Sequence, residues 1–165
     1  MQQGNSLPMR LEIDGWSAGL KFSACHLIPG HDRCGRLHGH TYAVHVRLQG
    51  EKNKSGYIAD FHDVKTLIRD IIERLDHRVL IPAAHPAVTI AKRRGIVEMK
   101  VGRKRYAFPA EDVVLLDLPA VTAEQLAEYI LEKAAPPIAG MGTVSELQIG
   151  LYEGVGQGAW ATRTF

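Results

Sequence analysis

Residues 37–50, LHGHTYAVHVRLQG, change character at every step along the chain. His38, His40, Tyr42, Val44, Val46 and Leu48 fall on one side of an extended chain, and Thr41, Ala43, His45, Arg47 and Gln49 fall on the other. This is the period of a strand with one buried face. Just upstream, KFSACH at 21–26 repeats the pattern, with Phe22, Ala24 and His26 set against Lys21, Ser23 and Cys25. The connection between the two, IPGHDRCGR, carries proline and glycine at loop positions. The two runs are therefore expected to pair antiparallel, with this loop at one end.

Two helices follow. HDVKTLIRDIIERLDH places Val64, Leu67, Ile68, Ile71, Ile72 and Leu75 on one stripe, with Asp60 or Asp63 available to cap its start. VTAEQLAEYILEKA opens on Thr122 and Gln125, in the form of a capping box, and buries Leu126, Ala127, Ile130, Leu131 and Ala134. Pro136 and Pro137 are expected to end this second helix. SELQIGLYEG then reads as a closing strand with Leu147, Ile149, Leu151 and Glu153 on one face.

Between the helices, IVEMKV and RYAF around GRK predict a hairpin. Positions 92–105 hold seven basic residues and one acidic residue, Glu98. Such a segment is either a solvated hairpin or a positive rim that attracts an anionic substrate through Arg103, Lys104 and Arg105. No repeat or low-complexity linker divides the 165 residues, so one α+β domain in ββααββ order is expected over 1–165, with 82–117 inserted.

Bulk properties narrow the function. The chain is 45% hydrophobic and 23% charged with a formal net charge of +2, which argues against disorder and is too mild to suggest nucleic-acid binding. No apolar run approaches the roughly 20 residues that span a bilayer, and the opening MQQGNSLPMR lacks a signal-peptide core. Two cysteines, Cys25 and Cys34, are too few for a disulfide scaffold and fit free thiols in a cytoplasmic setting.

The histidines carry the chemistry. His38 and His40 leave the same strand face, and His26 lies on the matching face of the neighbouring strand. A hairpin brings all three imidazoles to one end of the sheet, as a catalytic zinc site with a vacant fourth position requires. Gly39 between them leaves the opposite face uncrowded and permits close backbone approach. His31 in the loop is a competing ligand, while His45 and His85 are incidental by position. Cys34, four residues before His38, is either a fourth, structural ligand or an acid/base beside an open metal site. Cys25 points away from the histidines and reads as a packed small hydrophobe. Asp76 and His77 end the first helix. There the imidazole either favours the helix dipole or, oriented by the carboxylate, transfers protons. Glu153 either frays into solvent with EGVGQG or accepts two parallel N–H donors from a guanidine-like heterocycle edge.

Taken in order, FSACH, CGRLHGH, DFHDVKTLIRDIIERLDH, TAEQLAEYI and LYEG resemble the 6-pyruvoyl-tetrahydropterin synthase superfamily over about residues 20–154. The three-residue gap between Cys34 and HGH resembles its 6-carboxy-tetrahydropterin synthase branch, which supplies queuosine and archaeosine precursors. The resemblance implies a tunnelling fold: an antiparallel sheet with two helices on one face, closed into a barrel by homo-oligomers (trimers or hexamers) with sites between subunits. It implies one zinc ion per subunit on His26, His38 and His40, and Cys34 as general base. His77 with Asp76 would form the relay, and Glu153 would anchor a pterin ring near Thr122 and Glu124 and assist the relay as a catalytic group. The implied reaction converts 7,8-dihydroneopterin triphosphate to 6-carboxy-tetrahydropterin, acetaldehyde and triphosphate. The alternatives are 6-pyruvoyl-tetrahydropterin synthesis, without side-chain cleavage, and a structural zinc protein or pterin-binding module. Compact members join LDH to TAE by a short loop, so the resemblance leaves residues 82–117 uninterpreted.

Overall fold

The structure is a computed structural model that describes residues 9–165. Positions 1–8, part of the opening stretch read as lacking a signal-peptide core, lie outside the described residues. Strand β1 (Met9–Ile13) and strand β2 (Lys21–His26) are split by a turn that includes Gly15 and Gly19. Long strand β3 (His38–Gly50) pairs antiparallel with both, placing His26 opposite His38 and Phe22 opposite Tyr42. Helix α1 (Phe61–Glu73) starts where the Asp60 carboxylate accepts the His62 amide. After β4 (Arg78–Pro82), the chain forms β5 (Val88–Arg93), β6 (Ile96–Val101), β7 (Lys104–Pro109) and β8 (Val113–Leu116). Helix α2 (Ala123–Ala139), β9 (Val144–Tyr152) and β10 (Gly158–Thr164) complete the fold.

The main sheet runs β10-β9-β3-β2-β4-β8, with β1 also on β3. Its body is antiparallel as expected, and β4 and β8 extend it by parallel pairing beside β2. One face carries Phe22, Ala24, Tyr42, Val44, Val46, Leu48, Leu147, Ile149 and Leu151, all buried in one core with Val64, Ile68, Ile72, Leu126 and Ile130 of the helices. The strand period and the two helical stripes thus meet in a single α+β core. Among the described residues no helix is long and apolar enough to cross a membrane.

One expectation needs correction. Pro136 and Pro137 do not end α2 but lie inside it. Their missing amides remove only bonds to Glu132 and Lys133 in the last turns, and Pro136 still accepts the Gly140 amide. The buried Ala134, Ala135 and Ile138 hold that turn against the sheet.

The insertion is larger than the expected hairpin. β6 and β7 form it, and β5 adds a third strand through a tight Arg94-Gly95 turn in which both residues have positive φ. This small sheet buries Val97 and Met99 against Leu27 and Ile81, making a second apolar cluster.

Candidate metal and acid–base site

Strand pairing sets the geometry of the histidines. His26 and His38 are cross-strand partners and His40 lies two residues further along β3, so all three leave the core-side face at its open end. Their ring centroids are 4.6–5.1 Å apart, and one potential ligand atom from each lies within 4.8 Å of the others. His26 Nδ1 faces the Val121 carbonyl at 2.6 Å, and His38 Nδ1 faces the Arg36 carbonyl at 2.7 Å. A carbonyl only accepts, so each Nδ1 carries the proton and leaves its Nε2 lone pair for the cluster. Metal-ligating histidines are commonly oriented this way.

Burial, together with His38 and His40 and against the Val121 contact, lowers the His26 pKa to about 4. Its ring is therefore neutral near pH 7, as metal ligation requires. The Nε2 atoms of His26 and His40 are buried without hydrogen-bond partners. Orphaned acceptors converging on one point are costly unless something fills that point. The three histidines could hold a metal ion.

Cys34 is not in that group. It is a half-buried free thiol in the loop between β2 and β3, where its carbonyl accepts the Ile28 amide. His31, the competing ligand, is engaged locally: its Nδ1 accepts the Cys34 amide at 3.1 Å. His45 lies on the opposite sheet face, 3.4 Å from Asp14, and His85 Nδ1 accepts the Ala87 amide. Gly39 permits a close approach of the strands, since a Cβ there would lie a tight 3.1 Å from the Ala24 carbonyl oxygen. Cys25 is a half-buried free thiol on that face, and burial pushes its pKa up.

Glu153 follows the last residue of β9, in a turn closed by its amide donating to the Gln157 carbonyl. Its carboxylate does not fray into solvent. One oxygen stands 4.0 Å from His40 Nε2, and the other is buried with no partner. A cavity of about 340 Å³ beside it is lined by Thr122, Glu124, Glu153, Ile28 and Gln157. Thr122 has a further duty, since its hydroxyl accepts the Gln125 amide and caps α2.

Asp76 and His77 sit at the β2 edge. Asp76 accepts His77 Nδ1 at 2.8 Å and the Ser23 amide at 2.7 Å, while the His77 amide donates to the Ser23 carbonyl. Burial works against the Asp76 charge, but the Ser23 amide and His77 outweigh it and hold the pKa below the ordinary value. The His77 side chain is 80% exposed, and its φ of 56° lies in the left-handed region. It lines an open cavity of about 630 Å³ that His40 also lines, together with Ser23, Cys25, Gly39 and Thr41. Those four alternate away from the histidine cluster. The structure thus joins Glu153, Thr122 and Glu124 to the histidine end, while His77 stands in a separate open cavity that His40 borders.

Sequence patterns missed Tyr42, which is buried with its ring 5.5 Å from His40 and its hydroxyl unpartnered. Burial, then the charge of Glu153, raises its pKa and keeps it neutral. Its position two residues after His40 on the same face was the available signal. The orienting carbonyls of Val121 and Arg36 left none, because backbone partners have no residue type to read.

The fold and site define a two-helix tunnelling-fold protein with a three-histidine group at one end of its sheet. The model of the 6-pyruvoyl tetrahydropterin synthase family matches residues 17–164. The chain belongs to that family. A protein of Methanocaldococcus jannaschii, provisionally named 6-carboxy-5,6,7,8-tetrahydropterin synthase, is 38% identical over 154 residues, covering 92% of this chain and 94% of that one. The 6-carboxy-5,6,7,8-tetrahydropterin synthase of Haemophilus influenzae is 28% identical over 123 residues, covering 71% and 79%. In fold, the chain matches the 6-pyruvoyl tetrahydropterin synthase of Plasmodium falciparum with a TM-score of 0.89, at 21% identity, over 98% of this chain and 100% of that one.

Proposed function

We propose that this chain is a zinc-dependent 6-carboxy-5,6,7,8-tetrahydropterin synthase, a lyase that takes 7,8-dihydroneopterin triphosphate and one water to 6-carboxy-tetrahydropterin, acetaldehyde and triphosphate. The observation that carries the reading is the donor set: three converging imidazoles, two with Nδ1 fixed by carbonyls, and Cys34 outside the group. Three nitrogen donors and an open position suit a catalytic zinc better than a structural one. The full-length similarity to the Methanocaldococcus protein supports the carboxy branch.

Each residue then has a task. His26, His38 and His40 hold one zinc ion, which supplies Lewis acidity toward the side-chain oxygens of the substrate. Glu153, with one oxygen free, accepts two parallel N–H donors from the pterin edge and fixes the ring in the cavity beside Thr122 and Glu124. Cys34 removes a proton from the side-chain carbons. Asp76 accepts the His77 Nδ1 proton, so the exposed His77 Nε2 is the atom that takes and returns protons. The His77 side chain is 80% exposed, so it is free to serve the site of a neighbouring copy. The two outer strands β10 and β8, unpaired on one side among the described residues, supply edges for closing a homo-oligomeric barrel of three or six chains. Free thiols at both cysteines fit a reducing cytoplasm.

Incubation of purified protein with 7,8-dihydroneopterin triphosphate, followed by mass spectrometry, tests the reading. Acetaldehyde and a carboxy-pterin must both form. Triphosphate release with the side chain intact would mark a 6-pyruvoyl-tetrahydropterin synthase instead.

A further inference from the structure

The inserted sheet and the Cys34 loop touch through one strong polar contact. Lys104 Nζ donates to the Gly35 carbonyl at 2.6 Å, joining residues 69 positions apart. The other hydrogen bonds of the loop lie within it, among them Ile28 amide to Cys34 carbonyl, Gly35 amide to His31 carbonyl and Cys34 amide to His31 Nδ1, except that the Arg36 carbonyl faces His38 Nδ1 at the start of β3. They fold the loop onto itself and tie its end to β3, leaving the Lys104 bond as the one hydrogen bond described between the loop and the neighbouring small sheet.

The lysine is well placed to link the two. It follows the tight Gly102-Arg103 turn, in which Gly102 has a φ of 59° and Val101 pairs with Lys104. That turn joins two strands anchored through Val97 and Met99 onto Leu27, the residue directly after His26. The insertion therefore grips the loop near both functional ends, through Leu27 beside a candidate metal ligand and through Gly35 beside Cys34. Between these grips lies a cavity of about 370 Å³ lined by His31, Gly35, His85, Val101 and Lys104. Packing is open at this height, and the charged hydrogen bond from Lys104 is the polar link across it.

We infer that Lys104 is a positioning residue for Cys34, and that the inserted sheet is the frame from which it acts. The catalytic part of this inference rests on the function proposed above, while the structural part does not.

Lys104→Met and Lys104→Arg, compared with the unaltered protein, separate the two. Alkylation by iodoacetamide, resolved by peptide mass spectrometry, follows Cys34 with Cys25 as an internal control. Loss of one charged hydrogen bond predicts a Cys34 labelling rate higher by several-fold in Lys104→Met, on the order of tenfold, with Cys25 and zinc content unchanged. With 7,8-dihydroneopterin triphosphate, kcat falls by a similar factor while KM stays within about twofold, and Lys104→Arg restores both readouts. A Cys34 labelling rate or a kcat that stays at its original value in Lys104→Met overturns the inference. So does a raised KM at constant kcat, which would place the lysine on the substrate. If the unaltered protein turns over no substrate, the functional reading fails and the labelling rate alone decides whether Lys104 holds the loop.

Discussion

The histidine end of the main sheet and the inserted sheet are both β-structure, yet they hold their key groups by different means. At the histidine end, strand register does the work: pairing His26 with His38 leaves little freedom about where His40 points. In the insertion, register places Val97 and Met99 against Leu27, but the link to the Cys34 loop is a single side-chain hydrogen bond from Lys104. Position at the first place is set by backbone register, and at the second by apolar packing on Leu27 and one charged hydrogen bond to Gly35. The contrast can be broken or sharpened by substitutions at each end.

The largest effect is expected from His38→Ala. Removing one of three ligands should take bound zinc from about one ion per chain to background and abolish turnover, while the strand pairing keeps the fold. Elemental analysis and circular dichroism check both halves, and retention of stoichiometric zinc would remove His38 from the ligand set. A smaller effect is expected from Met99→Ala. It hollows the second apolar cluster and should cost about 2–5 kcal/mol in urea unfolding, with zinc content retained. Loss of zinc in Met99→Ala would mean that the two regions are not separable and that the insertion supports the histidines as well as the loop.

Legibility in the sequence followed the same division. His26, His38 and His40 are readable because period-2 alternation decides which face a side chain leaves, and the loop over residues 27–37 lets the two neighbouring strands pair antiparallel. The stripes of α1 and α2 were readable for the equivalent reason at period 3.6. Strand β8 was not, because its partner β4 is parallel and some thirty residues earlier, a pairing that local alternation cannot encode. Val88–Arg93 lay hidden after Pro82 and Pro86, whose turn signals masked the strand that follows. The two prolines of α2 misled because tertiary burial of Ala134, Ala135 and Ile138 outweighs two lost hydrogen bonds. At the candidate site, Glu153 was identified but its partnerless buried oxygen was not.

The claim on which the rest depends is that Cys34 stands beside an open three-histidine zinc site rather than closing it. Cys34→Ala, with zinc measured on the same sample used for turnover of 7,8-dihydroneopterin triphosphate, tests it most directly. The account predicts zinc retained at the original stoichiometry and kcat lower by roughly 10²–10⁴-fold, the contribution of a positioned general base. Zinc lost together with activity would contradict it and make Cys34 the fourth ligand of a closed, structural site.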